Sequence, residues 1–160
     1  MSVWLTLPTV LACALMGGVF FAFSSFVMPA LGKLAVEEGI RAMQRINIDV
    51  YHWSFMGPFF VTPIACIATA VHTFRAASGE AATYAIVGCV VYVVGNFIVT
   101  AAGNVPLNNA LAAADADSVE AAQQWSHYLV RWTQWNHVRT AASVVAAASF
   151  MLALRAGASP

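Results

Sequence analysis

The chain has 160 residues, 61% of them hydrophobic and 9% charged, and its seven Lys/Arg and seven Asp/Glu cancel to a formal net charge of zero. An ordinary soluble domain carries about 25% charged residues, so this composition excludes that class and points to a protein built for a bilayer. No group of Lys and Arg is dense enough to track a phosphate backbone, which excludes nucleic acid as a partner.

Charge-free runs cover residues 1–32, 50–74 and 81–114, each longer than the roughly 20 residues that cross about 30 Å of hydrocarbon. A fourth run, 140–154, is short and spans only if its helix starts earlier, in the Trp/Tyr-rich stretch before it. The expected architecture is all-α: an integral membrane four-helix bundle in one domain, 1–160, with spans near 3–28, 53–74, 82–103 and 136–155. Two interfacial helical segments should lie on one side of it. Residues 1–32 lack the positive n-region of a cleaved signal and their apolar run is too long for one, so they read as the first span. Cys13, Cys66 and Cys89 are odd in number and all fall inside spans, where they serve as small apolar side chains rather than a disulfide framework.

The first span carries Gly17, Gly18, Ala22, Ser24 and Ser25, small residues that let a neighbouring helix approach closely. It is expected to stop at Met28-Pro29, since proline lacks an N–H and disfavours helix at the residue before it. Residues 32–52 then hold the i,i+4 pairs Lys33–Glu37, Glu37–Arg41 and Arg45–Asp49 beside a stripe of Val36, Ile40, Met43, Asn47 and Val50, which makes an amphipathic interfacial helix. Asn47, the polar member of that stripe, is either a packing hydrogen bond or a substrate contact. The second span contains Pro58 and Pro63 and should kink. A short turn at 76–82, with Ser78-Gly79-Glu80, makes the second and third spans antiparallel neighbours. Asn96 in the third span reads as a helix–helix hydrogen bond.

Each half of the chain runs span, proline exit, amphipathic segment, span, a pattern of parallel duplication that places both amphipathic segments on one side, over a shared cavity. Lys33, Arg41, Arg45, Arg131 and Arg139 then lie on the loop side against Arg75 and Arg155 on the terminal side. The positive-inside rule accordingly puts loops 29–52 and 104–136 in the cytoplasm.

Most of the chemistry lies in 104–139. Trp125, Tyr128, Trp132, Trp135 and Arg139 advance by three or four residues and share a helix face. Trp125 and Tyr128 fit an interfacial anchoring belt as well as a substrate wall. Arg139, next to an apolar helix, needs a carboxylate, a ring of carbonyls or an anionic ligand. Glu37, Glu38, Asp49, Asp115, Asp117 and Glu120 lie on its side of the membrane, so a structural ion pair and a role at a site both stay open. His52, His127 and His137 fall on that side too, without the close spacing of a metal site, and no metal is expected.

Asn104-Val105-Pro106-Leu107-Asn108, then Trp125, then Trp132-Thr133-Gln134-Trp135-Asn136-His137-Val138-Arg139, resemble the DUF1772 family of small membrane proteins, which includes the anthrone oxygenases. Phe20–Pro29 and Met43-Gln44-Arg45-Ile46-Asn47 extend the resemblance over nearly the whole chain. It implies an oxygenase that acts with O2 on an apolar aromatic of anthrone or hydroquinone type, without a metal or organic cofactor, since a stabilised enolate can itself reduce O2. Under that reading His137 or His52 takes the proton, and Arg139, Asn136, Asn104 and Asn108 hold the oxyanions. Trp132 and Trp135 sandwich the rings, with Asn47, Trp125 and Tyr128 as further substrate contacts. Its partners would be an apolar aromatic or lipid-like small molecule and membrane lipid, with homo-oligomerisation left open. Two alternatives stand beside it: a non-catalytic membrane protein that binds lipid or quinone, and a haem- or metal-containing redox protein.

Overall fold

The computed structural model describes residues 2–76 and 79–158 and, among these, consists of five helices and no strand. They are α1 (Val3–Leu31), α2 (Val36–Asp49), α3 (Trp53–Ala76), α4 (Glu80–Ala112) and α5 (Val119–Ala156). All but α2 are long and apolar enough to cross a membrane. Their outward faces present Leu11, Leu15, Phe21, Ile64, Val90 and Val144, all exposed. Such a surface would aggregate in water and is the solvated one in lipid. Of the turn expected between the second and third spans, Ala77 and Ser78 lie outside the described residues. Gly79 follows with φ +74°, a conformation only glycine adopts freely, and leads into α4.

α1, α3, α4 and α5 pack around a core of two parts. Toward the chain termini, Cys13, Met16, Cys66, Ala85, Tyr92 and Phe150 are buried together. There α1 and α3 meet through a Thr9–Thr69 hydroxyl bond of 2.9 Å and a Cys13–Cys66 thiol contact of 3.6 Å, and all three cysteines are free. Toward the loops, Met28, Ile40, Met43, Leu111, Trp125 and Tyr128 form the second part under α2. α2 seats closely because Gly39 has no side chain: a Cβ there would fall 2.9 Å from both the Trp125 ring and the Leu31 carbonyl. Its polar edge is tied down by Gln44, whose Nε2 donates to the carbonyls of Leu111 (2.9 Å) and Ala114 (3.0 Å).

The helix ends correct the sequence expectation in three places. α1 continues through Pro29, α4 continues through Pro106, and α5 begins seventeen residues before the expected 136, capped where the Ser118 hydroxyl accepts from the Ala121 N–H. The prolines are absorbed by widened π-helical turns at Phe23–Val27 and Thr100–Asn104. Proline breaks a helix chiefly by clashing with the carbonyl four residues earlier. Here those carbonyls belong to Ser25 and Ala102, each inside a π turn where the ring has room. At 1.5 Å per residue α4 and α5 are about 50 and 57 Å long, well beyond the hydrocarbon. The second interfacial segment is therefore built from the projecting arms of α4 and α5. The two links meet on one side of the bundle, where Arg41 of α2 pairs with Asp117 of the other link at 2.5 Å rather than with Glu37. Of the three i,i+4 pairs expected in α2, Arg45–Asp49 forms, at 2.9 Å.

Candidate functional site

Beneath α2 and between the four spans lies a cavity of about 260 Å³, lined by all five helices. Its walls are apolar, supplied by Phe20, Phe23, Met43, Ile46, Phe55, Phe59 and Trp132, while its polar side chains are those of Asn47, Tyr51, Thr100, Asn104, Asn108, Asn136 and Arg139. Asn47, Asn104, Asn108, Trp132, Asn136 and Arg139, six of the residues singled out by sequence, thus converge on one space.

Arg139 is 5% exposed. Its Nη1 donates to Thr100 Oγ1 at 3.2 Å and its Nη2 to Asn136 Oδ1. The guanidinium carbon lies 4.3 Å from the Phe20 ring centroid and 5.3 Å from that of Trp132. Among the described residues no carboxylate lies within 4 Å of it, and its Nε has no partner. This removes the ion-pair reading. The acids that were candidate partners sit outside the cavity, Asp117 with Arg41 and Asp49 with Arg45. Neutral oxygens and ring faces relieve only part of the cost of burying a charge, so the cation retains unspent capacity toward an anion.

Hydrogen bonds fix the orientation of the amides around it. Asn136 Nδ2 donates to the Phe20 carbonyl and to Ser24 Oγ, both at 2.6 Å. A carbonyl only accepts, so the Asn136 oxygen must turn to Arg139. Asn136 therefore positions the guanidinium. Asn108 Oδ1 accepts from Tyr128 Oη and from Trp132 Nε1, each at 2.9 Å. An indole N–H only donates, which settles the Asn108 orientation too. Asn47 Nδ2 reaches Tyr128 Oη at 3.5 Å, and Asn104 Nδ2 donates to the Trp132 carbonyl at 3.2 Å. Asn104 is 1% exposed and its Oδ1 has no partner among the described residues. Asn96 makes the interhelical bond expected of it, accepting from Ser143 Oγ at 3.1 Å.

Other predicted site residues are placed elsewhere. Trp125 and Tyr128 are buried and stack with Trp132 as a ladder behind the cavity wall, with ring centroids 5.6 and 6.2 Å apart, so they support that wall rather than line it. Trp135 faces away from the cavity and covers Gly103, where a Cβ would fall 2.8 Å from the indole. A slot between Trp132 and Trp135 therefore does not form: residues three apart on a helix are offset by about 60°, enough to put one ring in the cavity and the other outside it. His52 and His137 are exposed and do not line the cavity; His52 bonds Ser54 Oγ at 2.9 Å, and His137 borders a shallow outer groove with Pro29 and Leu129. On helix α5 an advance of one residue turns the side chain by about 100°, so His137 points away although Asn136 points in. His127 is exposed as well, and no three His, Cys, Asp or Glu among the described residues come together as a metal site would require.

Sequence reasoning missed Thr100, Ser24 and Phe20. Part of the signal was present, since Ser24 and Thr100, like Asn96 and Asn104, are polar residues in apolar spans; the structure places all four in π-helical turns. Such turns shift the helix register and recur at functional sites.

Fold and site define a class: a multi-pass helical membrane protein whose spans enclose an apolar cavity around a buried, carboxylate-free arginine. The chain belongs to the anthrone oxygenase family, whose sequence profile matches residues 48–149. The match takes in the polar residues of α4 and α5, while the α1 and α2 walls of the cavity lie outside it. No curated protein and no solved structure matches the chain.

Proposed function

We propose that this protein is a cofactor-independent membrane oxygenase that binds a planar apolar aromatic as its enolate or phenolate and directs its reaction with O2. The observation that carries the reading is Arg139, a buried cation with no carboxylate, set in the wall of an apolar cavity. An arginine in that setting favours the anionic form of a carbon acid and opposes the charge that develops on oxygen as O2 is reduced. For an anthrone-type substrate, the proton leaves the ring CH2, the enolate gives an electron to O2, and the radical pair joins through a new C–O bond. The resulting hydroperoxide loses water, so that CH2 and O2 become C=O and H2O. Phe20, Phe23 and Trp132 supply flat apolar contact, and α2 shields the cavity from bulk water.

The lining holds no imidazole and no carboxylate. In this reading water at the cavity mouth removes the proton, with Arg139 supplying the drive. The same observation favours a second reading, binding of a quinone or phenol without turnover. Oxygen uptake by the purified protein in detergent, with a panel of anthrones and hydroquinones, separates the two. Uptake above the uncatalysed rate, lost in Arg139→Leu, supports the oxygenase; tight binding with no acceleration across the panel leaves the binding reading, and a Soret band in the absorption spectrum overturns both. We place the cavity end in the cytoplasm, following the excess of Lys33, Arg41, Arg45 and Arg131 there over Arg75 and Arg155 at the other end. Cysteine reporters at Ser2 and at Ala116 that label from the same side would refute the topology.

A further inference from the structure

Outside the cavity, the loop-side end of the seam between α1 and α5 carries a groove of about 350 Å³ that the proposed reaction does not use. Its apolar part comes from Met28, Pro29 and Leu129, and Gly32 admits Leu129 closely: a Cβ there would stand 3.3 Å from Leu129 Cδ1. Thr133, Gln134 and His137 line it with polar side chains. The Gln134 side-chain oxygen accepts from Arg131 Nη1 at 3.0 Å, and the Arg131 guanidinium lies 5.9 Å from the Trp135 ring centroid. Arg131 is thereby held beside the groove. A guanidinium only donates, so the Gln134 amide N–H groups remain for another acceptor. Lys33 follows Gly32 directly and brings a second cation to the same edge on a flexible stem. Neither cation has a carboxylate within 4 Å among the described residues, Glu37 included, and no acid lines the groove.

The depth of the groove points to its occupant. Counted back from Arg155 in the last turn of α5, about 30 Å of hydrocarbon takes about 20 residues and ends near residue 135. Thr133, Gln134 and His137 straddle the level at which acyl chains give way to headgroups, and Arg131 lies about 6 Å beyond it. Toward the midplane the seam continues past Val144, 59% exposed, where Gly17 lies against Ser143. We propose that this groove seats one anionic phospholipid: its phosphate meets Lys33 and Arg131, Gln134 and Thr133 donate to its polar oxygens, and an acyl chain follows the α1–α5 seam. The proposal does not depend on what the cavity binds. Charge selects the occupant. A zwitterionic lipid brings its own cation toward Lys33 and Arg131, and a second copy of this chain docked here about a two-fold axis would bring the two basic residues toward their own copies. An anionic headgroup with a hydrocarbon tail suits both the charged edge and the apolar seam.

The test is native mass spectrometry of the full chain in detergent, titrated with phosphatidylglycerol or with phosphatidylcholine of the same acyl chains. Each basic residue at an anionic headgroup is worth about fivefold in affinity, so wild type should bind one phosphatidylglycerol about thirtyfold more tightly than phosphatidylcholine. Lys33→Gln/Arg131→Gln should lose that preference, whereas Arg45→Gln/Arg75→Gln, with the same change in net charge, should keep it. Val130 lines the groove from an exposed position, so Val130→Trp can lay a ring across it without entering the core and should weaken phosphatidylglycerol binding about tenfold with both cations in place. Equal binding of the two lipids by wild type, or a preference lost alike in both double variants, reduces the effect to general charge and overturns the site. Unchanged binding by Val130→Trp overturns the groove as its place. Displacement of phosphatidylglycerol by equimolar inorganic phosphate overturns the lipid in favour of a free anion, and a dimer that forms without lipid and dissociates in Val130→Trp overturns it in favour of a second copy.

Discussion

Replacing Arg139 tests the site most directly, because the structure assigns it neutral partners only. In Arg139→Leu the Asn136 oxygen loses its donor, a cost of about 1–3 kcal/mol. The Thr100 hydroxyl can turn back to its own helix at little cost. Against this, the substitution removes a buried charge whose desolvation costs several kcal/mol. The two nearly cancel, and Arg139→Leu should melt within about 5 °C of wild type. Turnover should fall by at least about 10²–10³, the usual effect of deleting one preorganised donor to a developing oxyanion. Arg139→Lys keeps the charge but not the planar fork that holds Asn136 and Thr100 while presenting Nε; it should fold normally and lose about tenfold or more in turnover. Oxygen uptake and thermal unfolding, measured on all three proteins in one detergent, check both halves. If the leucine variant unfolds as a broken ion pair would, down about 3–5 kcal/mol, while the lysine variant stays fully active, the guanidinium is structural and the reasoning fails.

Asn108→Ala strands two donors, Tyr128 Oη and Trp132 Nε1, and should destabilise by about 2–4 kcal/mol, with a change in tryptophan emission as the Trp132 wall loosens. Gly39→Ala should lift α2 from Trp125 and the Leu31 carbonyl, costing about 1–3 kcal/mol and exposing α2 to proteolysis before the spans; unchanged proteolysis would contradict the seating described. His52→Gln and His137→Gln should each leave turnover within about twofold of wild type, since neither ring reaches the cavity. A large loss in either would restore a histidine base.

The spans were legible because hydropathy alone decides them: charge-free runs of this length have one stable solution in lipid. The helix ends were not, because Pro29 and Pro106 read as stops under rules for regular α-helix, and nothing in a one-residue pattern announces the π turns that accommodate them. The candidate site was legible in its polar members, since an Asn or Arg in an apolar protein needs a reason to be there. Its aromatic half was not. Helical spacing put Trp132 and Trp135 on one face of α5, and which edge of that face met the cavity depended on Gly103 lying opposite Trp135, a contact set by tertiary packing. The direction of His137 was not legible for the same cause: proximity to Asn136 in sequence says nothing about direction when each residue turns a helix by about 100°.

The unusual length of α5 also fixes a depth. Arg155, in its last turn, and Arg139 are sixteen residues apart, about 24 Å along the axis, slightly less than the hydrocarbon thickness. With Arg155 at one boundary, Arg139 stands just inside the other, at the level where the arms emerge. Under the proposed function, a neutral aromatic drawn from the membrane would ionise only on arrival at Arg139. The anion would form within a few ångströms of the headgroups and never have to cross the midplane, where an unpaired charge is most heavily penalised.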